Sequence, residues 1–101
     1  MYLTQLLLPL PGGRARQASR RSFLQVRKEL TARFGGVTAY VHAPAEGVWL
    51  ASGRRTHDAI VVIEVMSKAR EGSWWKRYRK ALEARLKQEC IVVRTATVSM
   101  N

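Results

Sequence analysis

The chain has one cysteine, seven acidic side chains against eighteen basic ones, and no apolar run long enough to cross a bilayer. A lone Cys90 excludes an intramolecular disulfide and a multi-cysteine zinc site, so a reducing compartment fits best and the expected location is the cytoplasm. Two histidines make a poor metal set, and no spacing of Ser, His, Asp or Cys suggests an activated nucleophile, so neither metal nor cofactor is expected. Gly12-Gly13-Arg14 stands ahead of a helical stretch, as an anion-binding turn would. It lacks the Gly-Lys-Ser/Thr ending of a P-loop and the spacing of a dinucleotide fingerprint, so it reads as a loop. Met1 to Leu8 has no basic leader and is interrupted by Thr4 and Gln5, which argues against a secretory signal. The shortage of acids leaves a formal charge of +11. Such a balance suits an anionic partner, whether nucleic acid or a phosphorylated ligand, and equally suits solvated faces in an Arg-rich composition.

Against these absences stands one long β-branched run, Ala59-Ile60-Val61-Val62-Ile63-Glu64-Val65-Met66. It shows neither helical periodicity nor alternation, and so reads as a strand covered on both faces in the middle of a sheet. Glu64 is its anomaly, because a charge in such a strand is costly unless something pairs with it. Leu3 to Leu8 reads as a second central strand, ended by Pro9-Leu10-Pro11-Gly12-Gly13. A helix is expected from Ser19 or Ser22 to Phe34, with Ser22 and Gln25 at capping-box spacing and Phe23, Val26, Leu30 and Phe34 on one stripe. Gly35-Gly36 stops it. Val37 to His42 is a strand, 43–47 a turn, Val48 to Leu50 a resumed extended segment, and Ser52 to Thr56 a polar loop. Ser73 is the expected cap of a second helix running to Gln88 or Glu89, with Trp75, Tyr78, Leu82 and Leu86 as its stripe and Trp74 as core rim or interface edge. Ile91 to Val98 is the last strand.

The order β-α-β-β-α-β predicts an α+β chain of the ferredoxin-like type, a four-stranded antiparallel sheet with two helices on one face, over a single domain 1–101. The first and third strands are central in that topology, and they are also the most apolar here. Val61, Ile63 and Val65 should face the helices, and Ile60, Val62, Glu64 and Met66 the open side. An apolar open face predicts a contact, most economically a homodimer packed sheet to sheet.

That arrangement resembles the dimeric α+β barrel superfamily, in which two ferredoxin-like subunits pack sheet to sheet and which includes small monooxygenases and muconolactone-isomerase-like enzymes. The strings Leu30-Thr31-Ala32-Arg33-Phe34-Gly35-Gly36-Val37-Thr38-Ala39-Tyr40, Glu46-Gly47-Val48-Trp49 and Trp74-Trp75-Lys76-Arg77-Tyr78-Arg79 are also similar to an uncharacterised family of small bacterial proteins. The first resemblance implies a homodimer that binds or transforms a small molecule; the second implies no activity.

Glu64, His42 and Tyr40 are the candidate catalytic set on the open face, as base, acid and orienting donor around an apolar cavity, with Trp49 and Arg94 as candidate ligand contacts. Arg94 is expected across the first strand from Glu64, within reach of a long side chain. The same groups also suit an interface in which they satisfy one another. The competing reading places nucleic acid on the helical layer. Arg20, Arg21, Arg27, Lys28 and Arg33 of the first helix and Lys76, Arg77, Arg79, Lys80, Arg85 and Lys87 of the second lie mostly off the apolar stripes, and Arg27, Lys28, Lys76, Arg77 and Lys80 are the candidate polyanion contacts. Base-reading on the sheet is not expected, because Ile60 to Met66 holds no Phe or Tyr.

Overall fold

The computed structural model of the chain describes residues 1–10, 16–51, 54–88 and 90–101; for residues 10, 16–19, 41–51 and 54–59 it describes the backbone. Six elements follow in order: β1 (Tyr2–Leu10), α1 (Arg16–Phe34), β2 (Thr38–Ala51), β3 (Arg54–Ser67), α2 (Gly72–Leu86) and β4 (Val92–Thr97). They form one four-stranded sheet in the order β2-β3-β1-β4, antiparallel at every pairing. This is the ferredoxin-like α+β arrangement that the element order predicts, with the two apolar strands at its centre. Along most of their length the backbone groups of β1 and β3 therefore lie inside the ladder, which is the condition an apolar strand needs to be buried.

Strand parity sorts the two faces. Leu6, Leu8, Val61, Ile63 and Val65 pack with Phe23, Val26 and Leu30 of α1 and Trp75 and Leu82 of α2 into one core. The helical stripes match the expected spacing, with Phe34, Tyr78 and Leu86 at the core's edge. Each fully buried aliphatic side chain contributes roughly 1.5–3 kcal/mol, and this sum is what offsets the entropy of ordering the chain. Thr4 is the buried polar residue of this face among the described residues, and its hydroxyl shares a 2.9 Å hydrogen bond with that of Thr95.

Several boundaries differ from the sequence expectation: β3 begins at Arg54, inside the expected polar loop Ser52 to Thr56, and α2 ends at Leu86, short of Gln88. β1 continues through Pro9, which pairs with Ile60; β4 reaches only as far as Leu7, so no strand on that side needs the missing proline N–H. β2 runs on through 43–47 as extended backbone, with an irregularity in its pairing to β3 between Tyr40 and Ala45 rather than a turn. α1 starts at Arg16, upstream of both candidate serine caps, because Arg, Gln and Ala are good helix formers and nothing breaks the run. α2 starts at Gly72 from Glu71, which caps in the left-handed region (φ 53°, ψ 41°) without a side-chain hydrogen bond, so Ser73 lies inside the helix. The expected stop of α1 holds. Gly35 adopts φ +87° and donates its N–H to the Thr31 carbonyl at 2.8 Å, closing the helix in a conformation that suits glycine.

Two polar ties join the helices. Arg85 of α2 grips Glu29 of α1 through both guanidinium arms (2.8 and 3.2 Å), and the Tyr78 hydroxyl donates to the same carboxylate at 3.0 Å. Arg33 at the end of α1 donates to Glu71 at 2.7 Å while its guanidinium lies over the Trp74 ring. Trp74 stacks on Tyr78 and meets Phe34 edge to face, so it belongs to the core's rim.

Candidate functional site on the open face of the sheet

The face away from the helices carries a polar row that crosses the whole sheet. Register sets Thr38 of β2 opposite Glu64 of β3, Glu64 opposite Gln5 of β1, and Gln5 opposite Arg94 of β4. Since opposite residues share a face, these side chains stand in a line. Gln5 Nε2 donates to Glu64 Oε2 at 2.7 Å, and Arg94 Nε donates to Gln5 Oε1 at 2.7 Å. From the other side Tyr40, two residues along β2, donates its hydroxyl to Glu64 Oε1 at 3.0 Å. Each strand thus contributes one member of a continuous chain: Arg94, Gln5, Glu64, Tyr40.

The electrostatics of this row follow from the amide in its middle. Arg94 does not reach Glu64; the expected direct pair is replaced by a relay through Gln5. Among the described residues, both hydrogen bonds to the carboxylate come from neutral donors, so the carboxylate is oriented without being neutralised. An ionised carboxylate has room for further donors beyond two. Its charge acts back on Tyr40: the hydrogen bond to Glu64, then the carboxylate's charge, raise the phenol pKa above 10.0, so the hydroxyl remains a donor at neutral pH.

Beside Glu64 the sheet ends in an open cleft of about 780 Å³. Leu3, Phe34, Val37, Met66, Val98 and Met100 give it apolar walls, and Gly35 and Gly36 expose backbone at its rim. Glu64 is the ionisable side chain on those walls among the described residues. Met66, Met100 and Tyr40 are exposed large side chains of this region, and Val62, Leu3 and Leu7 are half-exposed on the same face. Ile60 is buried but stands outside the helix-side core. The open face is therefore apolar around one charged row.

Of the expected site residues, the structure brings Tyr40, Glu64 and Arg94 together. His42 lies in the irregular stretch between Tyr40 and Ala45, so strand alternation from Tyr40 does not carry to it, and its side chain is outside the described residues. Trp49 pairs with Thr56, eight residues before Glu64 on β3 and thus about 26 Å along the strand, which separates it from this row. Gln5 is the member that sequence reading missed, taken as an interruption of an apolar strand. Its signal was parity: it shares the alternating set of Leu3 and Leu7, opposite to that of Leu6 and Leu8. Arg27, Lys28, Lys76, Arg77 and Lys80 are all exposed on the helical layer. Cys90 is exposed. No group of three or more His, Cys, Asp or Glu able to hold a metal occurs among the described residues.

Comparison with known proteins gives a fold and no family. No protein family matches the chain, and no curated protein matches it. A solved structure described as a phage SAM lyase in its apo state is similar at TM-score 0.61, covering 94% of this chain and 78% of that one, at 14% sequence identity. The likeness to that phage protein is one of fold.

Proposed function

We propose that the chain binds, and in an enzymatic role transforms, a cationic small molecule on the open sheet face, with Glu64 receiving the positive charge and the adjoining cleft taking an apolar portion. The observation that carries this reading is the interposition of Gln5 between Arg94 and Glu64. In a chain of net charge +11, the carboxylate is held by neutral donors and left short of a cation, at the edge of an apolar cleft. A cationic ligand supplies the missing charge. Within such a site Glu64 serves as electrostatic partner or general base and protonated Tyr40 as the donor that orients it, while His42 remains a proposed acid on the neighbouring stretch. The half-exposed apolar residues around the row, Val62 and Met66 among them, support a second copy closing the face, so the working unit is proposed to be a homodimer.

The similar phage protein supplies a first probe. S-adenosylmethionine joins a sulfonium cation to an adenosyl group, a charge near a flat purine whose faces can lie against apolar walls, which matches the two halves of the site. Thermal-shift titration with S-adenosylmethionine and with its neutral thioether, S-adenosylhomocysteine, tests the charge requirement directly. Preferential stabilisation by the sulfonium supports the reading. Equal or absent shifts with both compounds count against this ligand class.

A second reading follows from the exposure of Arg27, Lys28, Lys76, Arg77 and Lys80, a basic helical layer that can contact nucleic-acid phosphates. Binding of a short RNA or DNA duplex that persists at physiological salt and weakens on reversing Arg27 and Lys80 to Glu would favour it over the first. Binding that vanishes at that salt would leave only the general attraction of a basic protein.

A further inference from the structure

Gly36 lines the cleft beside Glu64, yet neither of the usual structural reasons for a glycine holds there. Its neighbour Gly35 has one, since a φ of +87° closes α1. The φ of Gly36 lies outside the left-handed region, so its backbone does not call for glycine. Crowding does not call for it either. A Cβ at Gly36 would meet no neighbouring heavy atom within 4 Å among the described residues.

The direction of that absent side chain follows from β2. Val37 and Ala39 pack against the helix-side core, while the Tyr40 hydroxyl reaches Glu64 on the open face. Alternation therefore gives Gly36 the open face, in common with Thr38 and Tyr40. Thr38 stands opposite Glu64, so Gly36, two residues before it, comes beside Met66, two residues after Glu64. Met66 in turn stands opposite Leu3 of β1. Gly36, Met66 and Leu3 all line the cleft, one row along from the chain of Arg94, Gln5 and Glu64. We propose that Gly36 is the position that sets ligand specificity at this site, an inference that rests on Glu64 receiving a cation. With no side chain at Gly36, a flat heteroaromatic ring of purine size fits over Met66 and Leu3 while the cation lies against Glu64.

Spacing and polarity favour a ring joined to the cation through a short linker. Side chains two residues apart on one face of a strand stand roughly 7 Å from each other, a separation that the ribose of an adenosyl group can bridge between a sulfonium and its base. The β2–β3 pairing starts at Thr38 and Glu64, so Gly36 and Val37 lie outside that ladder and Met66 has no β2 partner. Backbone N–H and C=O groups thus border an apolar floor. An alkyl chain laid there would cover those groups without pairing them, at a cost. A purine turns its faces to Met66 and Leu3 and its donors and acceptors to the backbone. Glycine lets the ring edge approach that backbone closely.

Calorimetric titration of S-adenosylmethionine and S-adenosylhomocysteine into the wild type, Gly36→Ala, Gly36→Val and Glu64→Gln tests the assignment, with melting curves for all four. Gly36→Val should weaken both compounds by about tenfold, the scale of one misplaced methylene in a pocket, and leave their ratio as in the wild type, because the base is common to both. Gly36→Ala should weaken both by less. Both Gly36 variants should melt at the wild-type temperature or higher, since the new side chain meets no clash and the unfolded chain loses freedom. Glu64→Gln should instead weaken the sulfonium alone. Undiminished affinity for both compounds in the Gly36 variants, or loss confined to the sulfonium, would overturn the role of Gly36 and leave that of Glu64 standing. Lost affinity accompanied by a lower Tm in both variants would make Gly36 a structural residue and overturn it too. Equal wild-type binding of the two compounds, with both weakened by Gly36→Val, would keep Gly36 and refute Glu64. A wild type that binds neither overturns both.

Discussion

Replacing Glu29 by Gln should destabilise the fold by about 1 kcal/mol at neutral pH and by almost nothing in acid. In the folded protein the Glu29 carboxylate receives two N–H donors from Arg85 and the Tyr78 hydroxyl, across the gap between α1 and α2. Buried, such a cluster would be worth several kcal/mol. Here the side chains of Arg85 and Glu29 remain 32% and 35% exposed, so water screens the pair and the contribution falls to about 1 kcal/mol, toward the upper end for exposed ion pairs because the grip is bidentate. Gln keeps the shape but turns an amide N–H toward the guanidinium. The pH dependence gives the prediction its sign. Arg85's hydrogen bond lowers the Glu29 pKa below 4.5, outweighing the opposing effect of burial. A carboxylate with a depressed folded pKa contributes its full stability above the unfolded value of 4.5 and loses it as pH falls through the folded value. Tyr78 stays protonated throughout, because burial and then the bond to Glu29 raise its pKa. Urea unfolding of both proteins from about pH 7 to about pH 3 at fixed ionic strength measures the gap. A gap of about 1 kcal/mol, or roughly 4–8 °C in Tm, should close in acid. A gap that persists unchanged at low pH would refute the electrostatic reasoning and assign the effect to shape.

Three further outcomes follow from single residues. Spectrophotometric titration should place the Tyr40 phenol above 10.0 in the wild type and return it toward that value in Glu64→Gln, since the carboxylate's hydrogen bond and charge are the leading causes of the shift. Val62→Asp sets an unpaired charge in the middle of the open face; if the proposed homodimer forms through that face, light scattering should find the wild type at twice the chain mass and the variant at one chain mass at the same concentration. Lys87 caps α2 in the left-handed region (φ 54°, ψ 43°) with its N–H and that of Gln88 closing on Ala84 and Glu83; Lys87→Gly should relieve about 1 kcal/mol of backbone strain and raise Tm.

The central strands were legible because an uninterrupted β-branched run marks a strand; its helix-side residues are buried, while Val62 and Glu64 are half-exposed and Met66 is exposed on the other face. Val61, Ile63 and Val65 lie under the helices with 2%, 0% and 1% exposure, and Glu64 between them points away, as a carboxylate beneath an apolar helical layer would require. Both helical stripes were legible from their spacing. The row itself was only half legible. Glu64 and Tyr40 could be placed on one face by alternation, but pairing of Gln5 with Glu64 on one side and Arg94 on the other depends on register between distant segments, which no local pattern encodes. The left-handed caps at Glu71 and Lys87 were likewise invisible, since neither residue type announces that conformation. Ser73 looked like a cap by type, and the chain used the residue two positions earlier.

The most direct test of the account is calorimetric titration of S-adenosylmethionine and S-adenosylhomocysteine into the wild type and into Glu64→Gln, with folding of the variant checked by its melting curve. A carboxylate left short of a cation should favour the sulfonium over the neutral thioether by about tenfold, roughly 1.4 kcal/mol, in the wild type. Glu64→Gln, which keeps Gln5 and Tyr40 within hydrogen-bonding reach, should erase that preference while melting at the same temperature or higher. A preference that survives the substitution, or a wild type that binds both compounds equally, would contradict the claim that Glu64 is the charge-receiving centre of the open face.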